Sequence, residues 1–489
     1  MRRVAQAAGR TGPAAAGLLL QVALLALAWS SGDDRTAALA GVASFACAIA
    51  VGLAGLRMPL LSPSMLYLYA LGLFHFGMAG PWAMGAQASR LPLWFVTWDL
   101  APALTLAILA IACYQLGFTL AALRRAPSAP QQAAAPRHNT VMYLCGAATT
   151  LVGLAALLLG AWQIGFSRLL SASYFESYQL TNTYDPRLLV SSLQIVPMGL
   201  YLTAASAPLR RLRLVLAAGL LWTGFIFLAG YRGFALAPLA VLLALTERRG
   251  AGVPRRWLAV GAAVLLLAVP AARVAREKSL GERTLLDLTT TSSPLAAVGE
   301  MGGSIRPLVH TLVLLETEDL RWGYTYWQAA QMLVPNLALE WQGGGYMPIE
   351  DLPPSRWVTR IVEPWIYQRN GGLGFSAVAE PYMNFGTPGV IVYFVALGFF
   401  LVRFGVAAGE SPAELAIWAM LLGPLIWTAR NSFTVFLRPA VWGVGLVLLT
   451  RWLSRLAASR RSGTAGRQAR FDTAWSGPNR PLGAEEGAL

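Results

Sequence analysis

Charge is the first scarcity. Only 12% of the 489 residues are Asp, Glu, Lys or Arg, about half the roughly 25% of a soluble globular domain, which excludes an ordinary cytoplasmic enzyme. Lysine is nearly missing: Lys278 stands alone, and with no Gly-x-x-x-x-Gly-Lys-Ser/Thr run there is no phosphate loop for a nucleotide. The three histidines have no His-x-x-x-His spacing, which excludes that zinc pair. Cys47, Cys113 and Cys145 all sit inside apolar blocks without paired spacing, so neither a disulfide framework nor a thiolate metal site is expected.

What fills the chain is hydrophobic residue, 56% of the total. It comes in blocks long enough to cross the roughly 30 Å hydrocarbon core of a bilayer as helices. Spans are expected at 14–30, 36–56, 64–83, 101–123, 141–165, 189–207, 214–231, 233–246, 257–274, 386–404, 413–429 and 434–452, an all-α polytopic membrane protein of about twelve helices. The formal charge of +15 is dispersed between these blocks, so it reads as topology and not as nucleic-acid binding. With the N-terminus cytoplasmic, 22 arginines fall on the inner side and seven in the short outer loops. The positive-inside rule then sets both termini inside and the long loop outside. The apolar stretch 214–246 is broken only by Gly230-Tyr231-Arg232-Gly233; one long helix there would export Arg248, Arg249, Arg255 and Arg256, so two helices with a tight external turn are expected.

The chain divides into four regions: 1–274 with nine spans, an extracytoplasmic domain over 275–385, three further spans over 386–454, and a Gly-, Arg- and Ser-rich tail over 455–489 expected to be disordered. The 275–385 segment holds amphipathic aromatic stretches such as Tyr324 to Trp341 and is expected to be partly helical on the outer membrane surface. The first span also mimics a signal peptide, with arginines before it and Ala26-Leu27-Ala28 near its end; whether it is cleaved stays open, and an uncleaved anchor serves as well.

Ionisable groups at a membrane boundary are costly and therefore candidates for function. On the outer side these are Arg232, Arg273, Arg276, Arg306, Arg430 and Arg438, with Glu277, Glu300, Glu363 and Glu380. Arginine offers a permanently charged planar fork suited to phosphate oxygens. Arg273 and Arg276 sit beside Glu277 and are read as ion-paired or snorkelling; Arg232 and Arg430 lie in short outer turns with no acid near them in sequence. For Glu380 the plain alternative is a helix-start carboxylate favoured by the dipole, for His310 a satisfied loop histidine, and for Asn384 a helix cap.

The run Gly371-Gly-Leu-Gly-Phe-Ser-Ala-Val-Ala-Glu380-Pro-Tyr-Met-Asn384-Phe-Gly386 leads into the tenth expected span. It resembles a stretch found in bacterial oligosaccharide repeat-unit polymerases, the O-antigen polysaccharide polymerase (Wzy) family. Gly230-Tyr-Arg232-Gly233 is similar to a Gly-x-Arg-Gly turn of that family, Glu300-Met-Gly302 to a Glu followed by Gly early in the long loop, and Tyr324 to Pro335 to an aromatic tract ending in Pro. The likeness covers about residues 225–440.

The resemblance implies a GT-C-like membrane glycosyltransferase that moves a growing glycan from one undecaprenyl diphosphate onto another lipid-linked repeat unit, in the plasma membrane of a bacterium. It implies no cofactor and no metal, and as partners the lipid-linked oligosaccharide, the bilayer, a chain-length regulator and a flippase. Arg232, Arg306 and Arg430 are then diphosphate binders, with Tyr382 and Asn384 as further substrate contacts. Glu300 or Glu380 is the base, with His310 as third choice. Three rivals remain: an O-antigen-type ligase; a metal-dependent lipid-phosphate-sugar transferase using Asp33-Asp34; and, outside enzymes, a lipid-linked oligosaccharide flippase or transporter.

Overall fold

In the computed structural model, residues 2–85, 92–124, 138–171, 186–229, 231–264, 266, 294–333, 348–369, 371–407, 409 and 411–475 are described. Among them every regular element is helical. The first part of the chain gives α1 (Arg2–Ser31), α2 (Asp34–Ala50, continued by a π turn Val51–Gly55), α3 (Pro63–Phe76), α4 (Ala101–Leu123), α5 (Thr140–Ile164), α6 (Pro186–Ser206), α7 (Leu209–Leu228) and α8 (Arg232–Arg248). Shorter helices α9 (Pro294–Met301), α10 (Ile305–Leu314), α11 (Tyr324–Gln331) and α12 (Pro354–Val362) come next, then α13 (Ala379–Ala407), α14 (Pro412–Thr428) and α15 (Thr434–Trp475).

Among the described residues, eight helices are long and apolar enough to cross a membrane: α1, α2 with its π turn, α4, α5, α6, α7, α13 and α15. The chain is therefore a helical, multi-pass membrane protein, and among the described residues fewer full-length spans are seen than the twelve expected. Three of the others are shorter: α3 has 14 residues, and α8 and α14 have 17 each. The ninth expected span is helical over 255–264, and most of its remaining length lies outside the described residues. The stretch 214–246 is two helices, because Tyr231 leaves the helical region at φ −90°, ψ 56°. α13 starts at Ala379, earlier than the expected span, and α15 continues as helix beyond 455.

In a bilayer, helix association depends on close packing and not on a hydrophobic drive, so small residues mark the contacts. Gly146, Gly153 and Gly160 recur every seven residues along α5. A Cβ on them would meet Thr203 N at 2.6 Å, Val196 N at 3.0 Å and Leu189 N at 3.2 Å on antiparallel α6. α4 crosses α13 at Gly117 and Gly398, where a Cβ would fall 2.1 Å from Val395 O and 2.3 Å from Tyr114 O. Buried Gln21 ties α1 to its neighbours, its Nε2 donating to Ser44 O (2.9 Å) and to Gln115 Oε1 (2.7 Å).

Consecutive helices alternate in direction, so their ends collect at two poles. At one, Arg248 donates to Gly405 O, Arg249 to Ala204 O and Ala207 O, and Asn139 to Ser454 Oγ, while Gly405 lies against Pro63. At the other, Arg35 donates to Ala83 O, Asp34 accepts from Leu100 N and Ala101 N, and Gly302 packs on Met78. The helices of residues 294–369 dock at this second pole. The interior divides into two apolar cores. One is centred on α1–α4, α13 and the docked helices, the other on α5–α8 and α14.

Candidate functional site

The Gly371–Gly386 motif is built onto the second pole through α3. Ser376 Oγ accepts from Val378 N (3.1 Å) and Ala379 N (3.2 Å), which caps the start of α13. The same oxygen lies 2.7 Å from His75 Nε2, and His75 Nδ1 lies 2.8 Å from Leu71 O. Leu71 O can only accept, so Nδ1 carries the proton and Nε2 accepts from the Ser376 hydroxyl. Both side chains are completely buried. One histidine–serine bond thereby fixes where α13 begins, and with it the position of Glu380.

Glu380 is 4% exposed. Its Oε1 accepts from the Thr325 hydroxyl (3.0 Å) and its Oε2 from Phe433 N–H (2.6 Å). One turn later the Asn384 amide donates to Thr325 Oγ1 (2.7 Å) and to Glu380 O (2.8 Å), while Asn384 Oδ1 accepts from Gly323 N (2.9 Å). Asn384 is therefore no helix cap: it joins α13 to α11. The helix breaks at Gly386, at φ 64°, ψ −157°, a conformation open essentially to glycine alone. The break frees carbonyls, which need partners. Met383 O receives Arg321 N and Asn384 O receives Trp322 N, each at 3.0 Å.

The turn between α14 and α15 closes the site from the other side. Phe375 N donates to Arg430 O (2.9 Å), so the motif grips this turn at Arg430 and again at Phe433. Gly374, at φ 75°, lies so close that a Cβ would be 3.1 Å from Arg430 O. The Arg430 guanidinium sits over the Phe74 ring, 5.8 Å from its centroid, and no ion pair to a carboxylate is seen for it among the described residues. At the same pole Gly233 and Phe234 pack on Trp427, with ring centroids 3.7 Å apart for the latter pair. The start of α8, and so Arg232, is thereby placed near this turn; the Arg232 side chain lies outside the described residues.

The other expected site residues lie elsewhere. Arg306 forms a salt bridge with Glu363 and stands over Trp94, 5.3 Å from its ring centroid. A guanidinium paired in this way has less charge to offer a phosphate. His310, one turn along α10, is buried with its ring edge-on to Trp98 at 4.7 Å. Burial first, and the Arg306 charge second, lower its pKa to about 4, which makes it a weak base at neutral pH. Glu300 is half-buried on α9, beside the Gly302–Met78 contact. Tyr382 is partly buried against the first core. Asp33 caps α2 by accepting from Thr36 N (2.8 Å), and Asp34 holds the start of α4, so the acidic pair considered for a metal serves two helix starts. Among the described residues no group of three His, Cys, Asp or Glu is placed to hold a metal.

Glu380, Asn384 and Arg430 thus come together, with Thr325, His75, Ser376 and the Phe433 amide as members that the sequence did not reveal. Ser376 lay inside the Gly371–Gly386 motif, without a role assigned to it. Thr325 lay inside the Tyr324–Pro335 tract but with no role assigned to it, and His75 carried no signal, because each reaches the site only through helix packing.

The family model of the O-antigen polysaccharide polymerase Wzy matches residues 57–460, a wider range than the motifs alone covered. No match was found among curated proteins or solved structures. The matched range contains the whole of the Gly371–Gly386 motif, the α14–α15 turn and the helices docked over them, and spans well over half of the chain; this protein belongs to the O-antigen polysaccharide polymerase Wzy family.

Proposed function

We propose that this protein polymerises undecaprenyl-diphosphate-linked oligosaccharide repeat units at the extracytoplasmic face of the bacterial plasma membrane. The observation that carries the proposal is the α14–α15 turn, whose Phe433 amide donates to buried Glu380 and which carries Arg430, with its guanidinium over Phe74, at the same pole inside the family's matched range. The pole bearing Arg248 and Arg249 is the cytoplasmic one, which follows from the positive-inside rule. The alternating directions of α1–α8 and α13–α15 support a twelve-span topology in which α3, α8 and α14 are short crossings and the helix over 255–264 belongs to the ninth.

In the reaction, a sugar hydroxyl of the acceptor repeat unit attacks the anomeric carbon of the donor glycan. The bond to the diphosphate oxygen breaks, the diphosphate leaves with the electron pair, and the hydroxyl proton passes to a base. Arg430, with Arg232 from the start of α8, stabilises charge building on the diphosphate. Glu380 is the base. An ionised carboxylate has about four lone-pair sites, and Thr325 and Phe433 use two, one on each oxygen. Asn384 and Thr325 orient it.

Complementation of a deletion strain tests this by the length of the surface glycan and the state of its lipid-linked precursors. Glu380→Gln should lower polymer formation by about 10²-fold or more and Arg430→Ala by about 10²-fold, each at normal levels of inserted protein, leaving single repeat units at the outer face. Long polymer retained on its lipid carrier would instead indicate a ligase, and repeat units trapped in the inner leaflet a flippase. Normal polymer from both variants would remove the site.

A further inference from the structure

We infer that a second cluster at the same pole, Arg306, Glu363 and His310 bordered by Trp94, Trp98 and Trp365, is a saccharide subsite that takes an uncharged pyranose of the substrate glycan. The identity of that substrate rests on the proposed polymerase function; the binding chemistry does not.

The cluster is assembled from three separate pieces of chain. Arg306 and His310 lie one turn apart on α10, Glu363 ends α12, and Trp94 and Trp98 come from the segment just before α4. Arg306 and Glu363 neutralise each other, so the site has no net attraction for a phosphate, unlike the turn at Arg430. Their side chains remain 17% and 20% exposed, which leaves donors and lone pairs available at fixed positions. The second Glu363 oxygen accepts from Trp365 Nε1, so the carboxylate is oriented from two sides. His310 is 4% exposed, and its Nε2 has no hydrogen-bond partner among the described residues; neither has Arg306 Nε. A buried polar atom without a partner is costly, and a ligand hydroxyl is of the right chemistry to supply one.

Around these polar groups stand half-exposed indole rings. Trp98 is 37% and Trp365 46% exposed, while the Trp94 face is covered by the Arg306 guanidinium. A pyranose has one apolar C–H face and a rim of hydroxyls. An aromatic wall beside a fixed carboxylate, guanidinium and imidazole matches both halves, in the way that small-ligand sites combine apolar surface with a few placed polar groups. Tryptophans that only anchor a protein in the membrane interface need neither a fixed ion pair nor a buried imidazole nitrogen without a partner.

α12 sets the distance to the proposed reaction centre. Its Trp357 lies under the Arg321 guanidinium, 5.0 Å from the ring centroid, where the chain is tied to α13, and its far end carries Glu363. From Trp357 to Glu363 is six residues along this helix, or about 9 Å at 1.5 Å per residue. A site at the end of α12 away from this anchor holds a sugar removed from the reacting bond and contributes to substrate choice, not to bond making.

The test uses full-length protein in nanodiscs and saturation-transfer NMR with methyl glycosides of the neutral sugars recovered from the host's surface glycan. Wild type, and Trp162→Ala with a lipid-facing ring removed, should both transfer saturation to at least one glycoside. Trp98→Ala and Glu363→Gln should lose about fivefold or more of that signal, and in the polymerase assay they should raise KM by about tenfold with kcat within about twofold. Trp98→Ala removes an exposed ring and guards against misfolding of the ion-pair variant, and thermal unfolding verifies that it is folded. No transfer to any glycoside in wild type, or equal transfer in wild type and the two variants, overturns the subsite. Normal polymerisation with unchanged KM in both variants also overturns it, while leaving the polymerase reading intact. Glycoside binding that the variants lose, in a wild type that makes no polymer, would support the subsite and sink the polymerase.

Discussion

At the scale of residues, the site depends on polar groups whose partners come from distant parts of the chain. Glu380 is held by Thr325 and Phe433, and Ser376 by His75. None of these pairs is near in sequence, so the Gly371–Gly386 motif pointed to Glu380 and Asn384 but could not show what holds them. The resemblance, together with their position in the long loop, cast Arg306 and His310 as diphosphate binder and base. The structure sets them in a separate, charge-compensated cluster, because α10 carries both on the side that meets Glu363 and Trp98. His310 also makes a pH dependence. Its pKa falls from 6.5 to about 4 on folding, chiefly through burial. Between those values the unfolded chain binds the extra proton, so this contribution to stability is complete above about pH 6.5 and is lost as pH falls toward 4. Unfolding midpoints in detergent should therefore drop on acidification through this window, and His310→Gln should flatten the drop. An unchanged slope in that variant would show that the acid sensitivity originates elsewhere.

At the scale of elements, glycines decide where helices meet and where they break. Among the described residues each apolar block announced a helix, and the Gly-Tyr-Arg-Gly interruption placed the α7–α8 hairpin correctly. The kink of α13 at Gly386 could not be read in the same way. It needs the Arg321 and Trp322 amides, brought in from the preceding loop, to satisfy the carbonyls that it frees. The Gly117–Gly398 crossing holds α4 against α13, whose first turns carry Glu380. Gly117→Leu would place side-chain atoms where the backbone of Val395 now lies, and overpacking of this kind costs about 1–3 kcal/mol or more. The expected result is a lower unfolding temperature and less folded protein, with loss of polymer in proportion. Gly224→Leu on α7, where nothing lies within 4 Å of a Cβ, should leave the folded yield near wild type. Equal yields for the two variants would show that the crossing does not need the close approach.

At the scale of the whole molecule, the sidedness of the bundle can be measured directly. Glu350→Cys, exposed on the loop that precedes α12, should react with an impermeant maleimide in intact cells, whereas Ser411→Cys, before α14, should react only after permeabilisation. The reverse pattern would place the proposed site in the cytoplasm and remove its substrate. The sequence by itself determined that the chain is a helical membrane protein, the rough position of most helices, and the family, because hydrophobic length and short motifs are local properties fixed by the solvent that the helices must live in. Only the tertiary structure decided which ionisable groups share a site. In an apolar bundle a buried carboxylate, imidazole or guanidinium must find its hydrogen-bond partners wherever the packing of helices brings them. That packing joined Glu380 to the turn at Arg430 and set Arg306, Glu363 and His310 apart among tryptophans.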